Sequence, residues 1–209
     1  MPLEGRSQPW TPPSGSYNAA VDMVDRNVAQ GRAAKAAFID PSETLTYGEL
    51  QARCNRMANL LVRDMGLKPG NRVLLRAPNN PTMVAAYFAV IKAGGVVVAT
   101  MPLLRAKELS YPLAKAKIEL ALCDARFSDE MEKAKAQSSE LKRIVYWGED
   151  GELDALMQKP GYESFTACDT AIDDVCLIAF TSGTTGEPKG TMHFHRDMLA
   201  ICDSYAKQV

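Results

Sequence analysis

Along this chain the apolar residues keep switching between helical and strand spacing, and each switch marks an element. "YNAAVDMVDRNVAQG" has apolar positions at helical intervals and ends on Gly31, which predicts a helix. "AAFID" is a short apolar run halted at Pro41-Ser42 and predicts a strand. Thr46 followed by Glu49 is a capping-box pair, and Leu50, Cys54, Met57, Ala58 and Leu61 recur at intervals of three and four, so a helix begins there and stops at Gly66. "NRVLLRA", "GVVVATM", "IELALCD" and "KRIVYW" predict strands, separated by helices in "PTMVAAYFAVIKAG", "RAKELSYPLAKA" and "FSDEMEKAKAQSS". Pro112 is expected to kink or break the second of these helices. "VCLIAF" is six apolar residues in a row, which predicts a strand covered on both faces. "RDMLAICDSYAKQV" then predicts a closing helix.

Strands and helices in alternation predict an α/β fold around a largely parallel sheet. Residues 1–16, rich in Pro, Gly and Ser, are expected to be a loose arm, and residues 17–209 the domain proper. A chain of 209 residues fits one large domain or part of one, given roughly 100–200 residues per domain.

Composition narrows the partners. Apolar residues make up 46% and charged residues 23%, a globular balance, and the formal charge is −1. That charge gives no bulk attraction to nucleic acid or an anionic membrane, so any anion site must be local. The five cysteines lack close CxxC spacing, which argues for reduced thiols rather than disulfides or structural zinc. No basic-then-apolar leader opens the chain, and "AGGVVVATMPLL" is too short to cross a bilayer. These readings predict a cytoplasmic protein.

The chemistry concentrates in "FTSGTTGEPKG", residues 180–190, between the apolar run and the closing helix. A phosphate-binding loop needs converging N–H groups, glycines where the chain comes close, and a cation. Gly183, Gly186 and Gly190 meet the glycine requirement; Thr181, Ser182, Thr184 and Thr185 add hydroxyls and Lys189 the charge. A helix N-terminus just downstream would add partial positive charge. The Walker spacing G-x-x-x-x-G-K-[ST] fails, because Pro188 precedes Lys189 where glycine is required. The kinase spacing G-x-G-x-x-G fails too, since Thr184 and Thr185 separate Gly183 from Gly186.

"TSGTTGEPKG" resembles the signature loop of the AMP-forming adenylating enzymes, which include acyl- and aryl-CoA synthetases, luciferases and peptide-synthetase adenylation domains. "LTYGELQARCNRMANLL" and "AVIKAGGVVVATMPLLRAKEL" resemble two earlier motifs of that family, in the expected order. The resemblance covers the chain from about residue 20 onward. "VVVATMPLLRAKEL" and "GTMHFHRDMLA" look most like ligases for benzoate and 2-aminobenzoate.

The resemblance implies part of the large N-terminal domain of an acyl-CoA synthetase-like fold. It implies a reaction in which ATP activates a carboxylic acid, an aromatic one on the finer likeness to benzoate and 2-aminobenzoate ligases, to an acyl adenylate, and coenzyme A then takes the acyl group. Thr181, Ser182, Thr184, Thr185 and Lys189 would donate to the β- and γ-phosphates of ATP, with Gly183 and Gly186 shaping the cradle. The family's acyl pocket, its magnesium-binding glutamate, its ribose-binding aspartate and its mobile C-terminal domain are all expected beyond Val209, so Mg2+ would find its protein ligand there. The chain alone is therefore expected to be inactive, and surface left by the missing lobe favours self-association. The alternative is a non-catalytic nucleotide-binding or interaction module.

Other residues have plainer readings. His193 and His195 stand two apart and would face the same way on an extended segment, but without a third ligand they make a poor metal site. Arg196 is expected in a salt bridge at the helix start, and Asp173-Asp174 in a strand-start or capping role. Met23, Met57, Met83, Met101 and Met198 are expected as core filler, and Cys176 as packing rather than nucleophile. The mixed charges of helix 126–138 are expected to face solvent.

Overall fold

The structure is a computed structural model that describes residues 15–181 and 188–204. The predicted arm, apart from its last two residues, lies outside them. After helical turns at Val21–Asp25 and Val28–Arg32, the chain forms a small antiparallel pair, β1 (Ala36–Ile39) with β2 (Thr44–Thr46). Thr46 then caps α1 (Tyr47–Asn59): its hydroxyl accepts from Glu49 N–H while the Glu49 carboxylate accepts from Thr46 N–H at 2.8 Å. This satisfies two of the donors every helix start leaves open.

The main sheet is built from β3 (Arg72–Arg76), β4 (Val96–Thr100), β5 (Leu120–Asp124), β6 (Arg143–Trp147), β7 (Val175–Thr181) and β8 (Lys189–Phe194), in the order β6-β5-β3-β4-β7-β8. The first five are parallel, and β8 returns antiparallel to β7. The connecting helices are α2 (Pro81–Lys92), α3 (Ala106–Lys115), α4 (Ser128–Gln137) and the short α5 (Leu153–Met157), and α6 (His195–Ser204) follows β8.

Alternation along each strand divides the core in two. Val73, Leu75, Val97, Leu122 and Val145 pack with α1, α2 and α5. Their neighbours Leu74, Val98, Ala121, Cys123 and Ile144 pack on the opposite face with α3 and α4. Each fully buried Leu, Ile or Val contributes about 1.5–3 kcal/mol, so both faces hold the sheet. The expected α/β architecture with a largely parallel sheet is what the chain forms.

Four expectations need correction. The helix carrying Pro112 does not break: α3 runs on to Lys115 with Pro112 buried inside it. One hydrogen bond is forgone there, and packing of Leu109 and Leu113 against the sheet outweighs it. Met101 is not core filler but 67% exposed, in the turn after β4. β7 is not covered on both faces, since only Cys176 of its residues is fully buried. Finally, a strand, β8, occupies residues read as the run-up to a helix.

Candidate functional site

Because β3 to β7 are parallel, their carboxyl ends and the turns that follow share one edge of the sheet, where open α/β sheets receive ligands. The glycine-rich loop leaves β7 at that edge. Thr181 ends β7 and Lys189 begins β8, and the two are registered partners across the hairpin, both exposed. The hydroxyl and the ammonium therefore bracket the neck of the loop from opposite strands. Ser182, Gly183, Thr184, Thr185 and Gly186 lie outside the described residues.

The hairpin fold changes the electrostatics expected of the loop. The helix N-terminus does not sit beside it: β8 intervenes with six residues, about 20 Å of extended chain, and α6 starts at the opposite end of the hairpin. Phe194 registers there with Val175, and His195 N–H donates to Asp174 O at 3.1 Å. Gly190 has a packing reason. A side chain on it would press within 3.2 Å of Ile178 and 3.3 Å of Phe180, so glycine lets those residues lie across the ladder. Phe180 in turn meets Tyr111 of α3 edge-on at 6.2 Å, which ties the hairpin to the sheet's second face.

The histidines part company. His195 turns into the core, 1% exposed, and its Nδ1 accepts from Ala19 N–H at 3.0 Å. Burial lowers its pKa from the ordinary value, against a weaker upward pull from Asp174. His193 stays half-exposed, with Nδ1 3.9 Å from Asp197. No group of three or more His, Cys, Asp or Glu side chains among the described residues could hold a metal ion. Arg196 pairs with Asp173 and lies 4.9 Å from the Phe194 ring, the expected salt bridge at the helix start. The Asp174 carboxylate accepts from Ala171 N–H at 2.8 Å and closes the turn that leads into β7, the expected strand-start role. Cys176 is buried and its thiol is pushed up to about 12, first by burial, so it packs rather than reacts.

Three buried polar residues at the same edge were not singled out as site candidates. Arg76, Thr100 and Asp124 end β3, β4 and β5 and are 1%, 8% and 3% exposed. The signal was one polar residue closing each apolar run, in "VLLR", "VVVAT" and "LALCD". Burial pushes the Asp124 carboxyl up, but hydrogen bonds from Arg126, at 2.9 and 2.7 Å from its side chain, more than offset this and leave it low.

The family model described as AMP-binding enzyme matches residues 24–209. A benzoate–CoA ligase of Thauera aromatica is 33% identical over 195 residues, 92% of this chain but 37% of that protein. A 4-hydroxybenzoate–CoA/benzoate–CoA ligase of Rhodopseudomonas palustris is 33% identical over 204 residues, again 37% of its length. Among solved structures, an anthranilate CoA ligase in complex with anthranoyl-AMP superposes with a TM-score of 0.85 at 26% identity, covering 91% of this chain and 36% of that one. A benzoate CoA ligase from Burkholderia xenovorans LB400 superposes at 0.81 with 25% identity, over 92% of this chain and 37% of that one. The chain thus spans somewhat more than a third of the proteins it matches.

Proposed function

The chain belongs to the AMP-binding enzyme family, and from that membership we propose that it is the N-terminal part of an AMP-forming acyl- or aryl-CoA ligase. In the whole enzyme a carboxylate attacks the α-phosphorus of ATP, the bond to the pyrophosphate oxygen breaks, and an acyl adenylate remains. The thiol of coenzyme A then displaces AMP and forms the thioester. An aromatic acid is favoured by the benzoate and hydroxybenzoate ligases among the relatives and by the neighbour solved with anthranoyl-AMP.

The hairpin neck carries this reading. Thr181 and Lys189 face each other at the carboxyl edge of the sheet, a hydroxyl donor beside a mobile cation, which suits the pyrophosphate tail of ATP. Ser182, Thr184 and Thr185 would add hydroxyls between them, and Gly183 and Gly186 would let the backbone close on the oxygens. Fixed donors at that point help most as charge grows on the leaving pyrophosphate. Mg2+, when bound, would neutralise phosphate charge.

On this reading residues 17–209 are an incomplete adenylating domain, placed in the cytoplasm, where its five free cysteines stay reduced. No helix among the described residues is long and apolar enough to cross a membrane. Titration calorimetry of ATP and of pyrophosphate into the chain tests the loop. Lys189→Ala should weaken binding by about 1.5–3 kcal/mol, roughly 10- to 150-fold. Equal affinity in both proteins would remove the assignment. With ATP, coenzyme A and benzoate the chain alone should release no AMP, and steady release would show that the missing part is not needed.

A further inference from the structure

The sheet's switch point lies at the carboxyl end of β3. From β3 the chain crosses on the α2 face to β4, and from β4 it crosses back on the α3 face to β5, beyond β3 on the other side. Connections that part in this way leave a crevice at the strand end, a common place for a ligand. Arg76 is the residue that occupies it, registered with Thr100 of β4 and Cys123 of β5.

Its guanidinium is buried but poorly partnered. Nη2 donates to the carbonyls of Pro102 at 2.9 Å and Leu104 at 2.6 Å. Nε and Nη1 have no hydrogen-bond partner among the described residues, which leaves three of the five N–H donors unused. The carboxylates nearby are committed elsewhere. Asp124 takes Arg126, while Glu130 accepts from Lys133 at 2.7 Å and from Ala106 N–H at 2.8 Å. The Phe127 ring, 5.7 Å away, and the more distant charge of Glu130 offset part of the cost of a charge that no physiological pH removes. A buried cation with no carboxylate hydrogen-bonded to it is costly to hold, and an incoming oxyanion meets that cost directly.

We propose that the crevice at the end of β3 is an anion site, in which Nε and Nη1 of Arg76 receive the oxyanion of a small phosphate or carboxylate. The site is separate from the hairpin loop and does not depend on it. The covering segment is the turn after β4. It is held to Arg76 through backbone carbonyls, while its apolar side chains, Met101 at 67% and Leu103 at 81% exposure, point to solvent. An anion enters by displacing this turn.

The test uses the 209-residue chain with inorganic phosphate and with benzoate, at ionic strength balanced by sodium chloride. At saturation, at least one anion should raise the unfolding midpoint by about 2 °C or more. The rise should persist in Lys189→Ala, shrink in Arg76→Lys and vanish in Arg76→Met. Which anion acts identifies the oxyanion. In parallel, the Nε–H resonance of Arg76, assigned by its loss in Arg76→Lys, should move as that anion is added to the unaltered chain, a measurement that needs no folded Met variant. A midpoint and resonance unmoved by either anion would overturn the proposal. So would an equal rise in Arg76→Met, or a rise abolished by Lys189→Ala.

Discussion

His195 shows how one buried ring links distant parts of the chain. Its Nδ1 must be unprotonated to accept from Ala19 N–H, and burial keeps it so by lowering its pKa. The unfolded chain binds that proton more readily, near the ordinary histidine value of about 6.5. The stability His195 contributes is therefore complete above about pH 6.5 and is lost as pH falls toward the folded-state value, at no more than about 1.4 kcal/mol per pH unit. The urea midpoint should drop between pH 7.5 and 5.5, and His195→Gln should flatten the drop; parallel profiles would exclude His195 as the cause. At this scale the sequence was only partly informative. The role of Arg196 followed from its place before a helical run, but nothing in "HFH" tells which histidine turns inward, because that depends on Ala19, 176 residues earlier. The burial of Arg76 is not legible in the sequence because a charged residue ending a strand ordinarily reaches solvent, and here the turn after β4 and Phe127 cover it.

Elements with local causes were the most legible. The Thr46–Glu49 box, Gly31 and the alternating strands each act within a few residues, and the structure follows them. β8 was hidden because its pattern, Lys-Gly-Thr-Met-His-Phe, has no clear alternation; its partner strand makes it a strand. Gly94 illustrates a turn set by tertiary packing. It closes the link from α2 to β4 at φ +77°, and a Cβ there would lie 2.6 Å from the Cys168 sulfur. Gly66, at φ +72°, has nothing within 4 Å. Gly94→Ala should thus destabilise by about 2 kcal/mol or more and Gly66→Ala by about 1 kcal/mol, read from urea midpoints. Equal losses would mean that backbone strain alone matters at both.

At the scale of the whole molecule, one margin of the sheet differs from the rest. β8 is an edge strand whose first four residues are exposed, Met192 is 59% exposed, and Ile201 on the following helix is 56% exposed. Exposed edges with apolar side chains recruit other strands. We therefore expect the chain to self-associate with rising concentration in sedimentation velocity, and Met192→Lys to shift it toward monomer. A monomer at all concentrations would show that this margin is adequately solvated.

The hairpin of β7 and β8 also has a mechanical consequence. Its two strands are stitched to each other over its whole length, whereas its ties to the body are fewer: the β4 register at Val97 and Leu177, Tyr111 against Phe180, and His195 on Ala19. A load applied between Thr181 and Lys189 would find a hydrogen-bonded route along the ladder to Phe194 and, through His195, to Ala19 in the N-terminal segment.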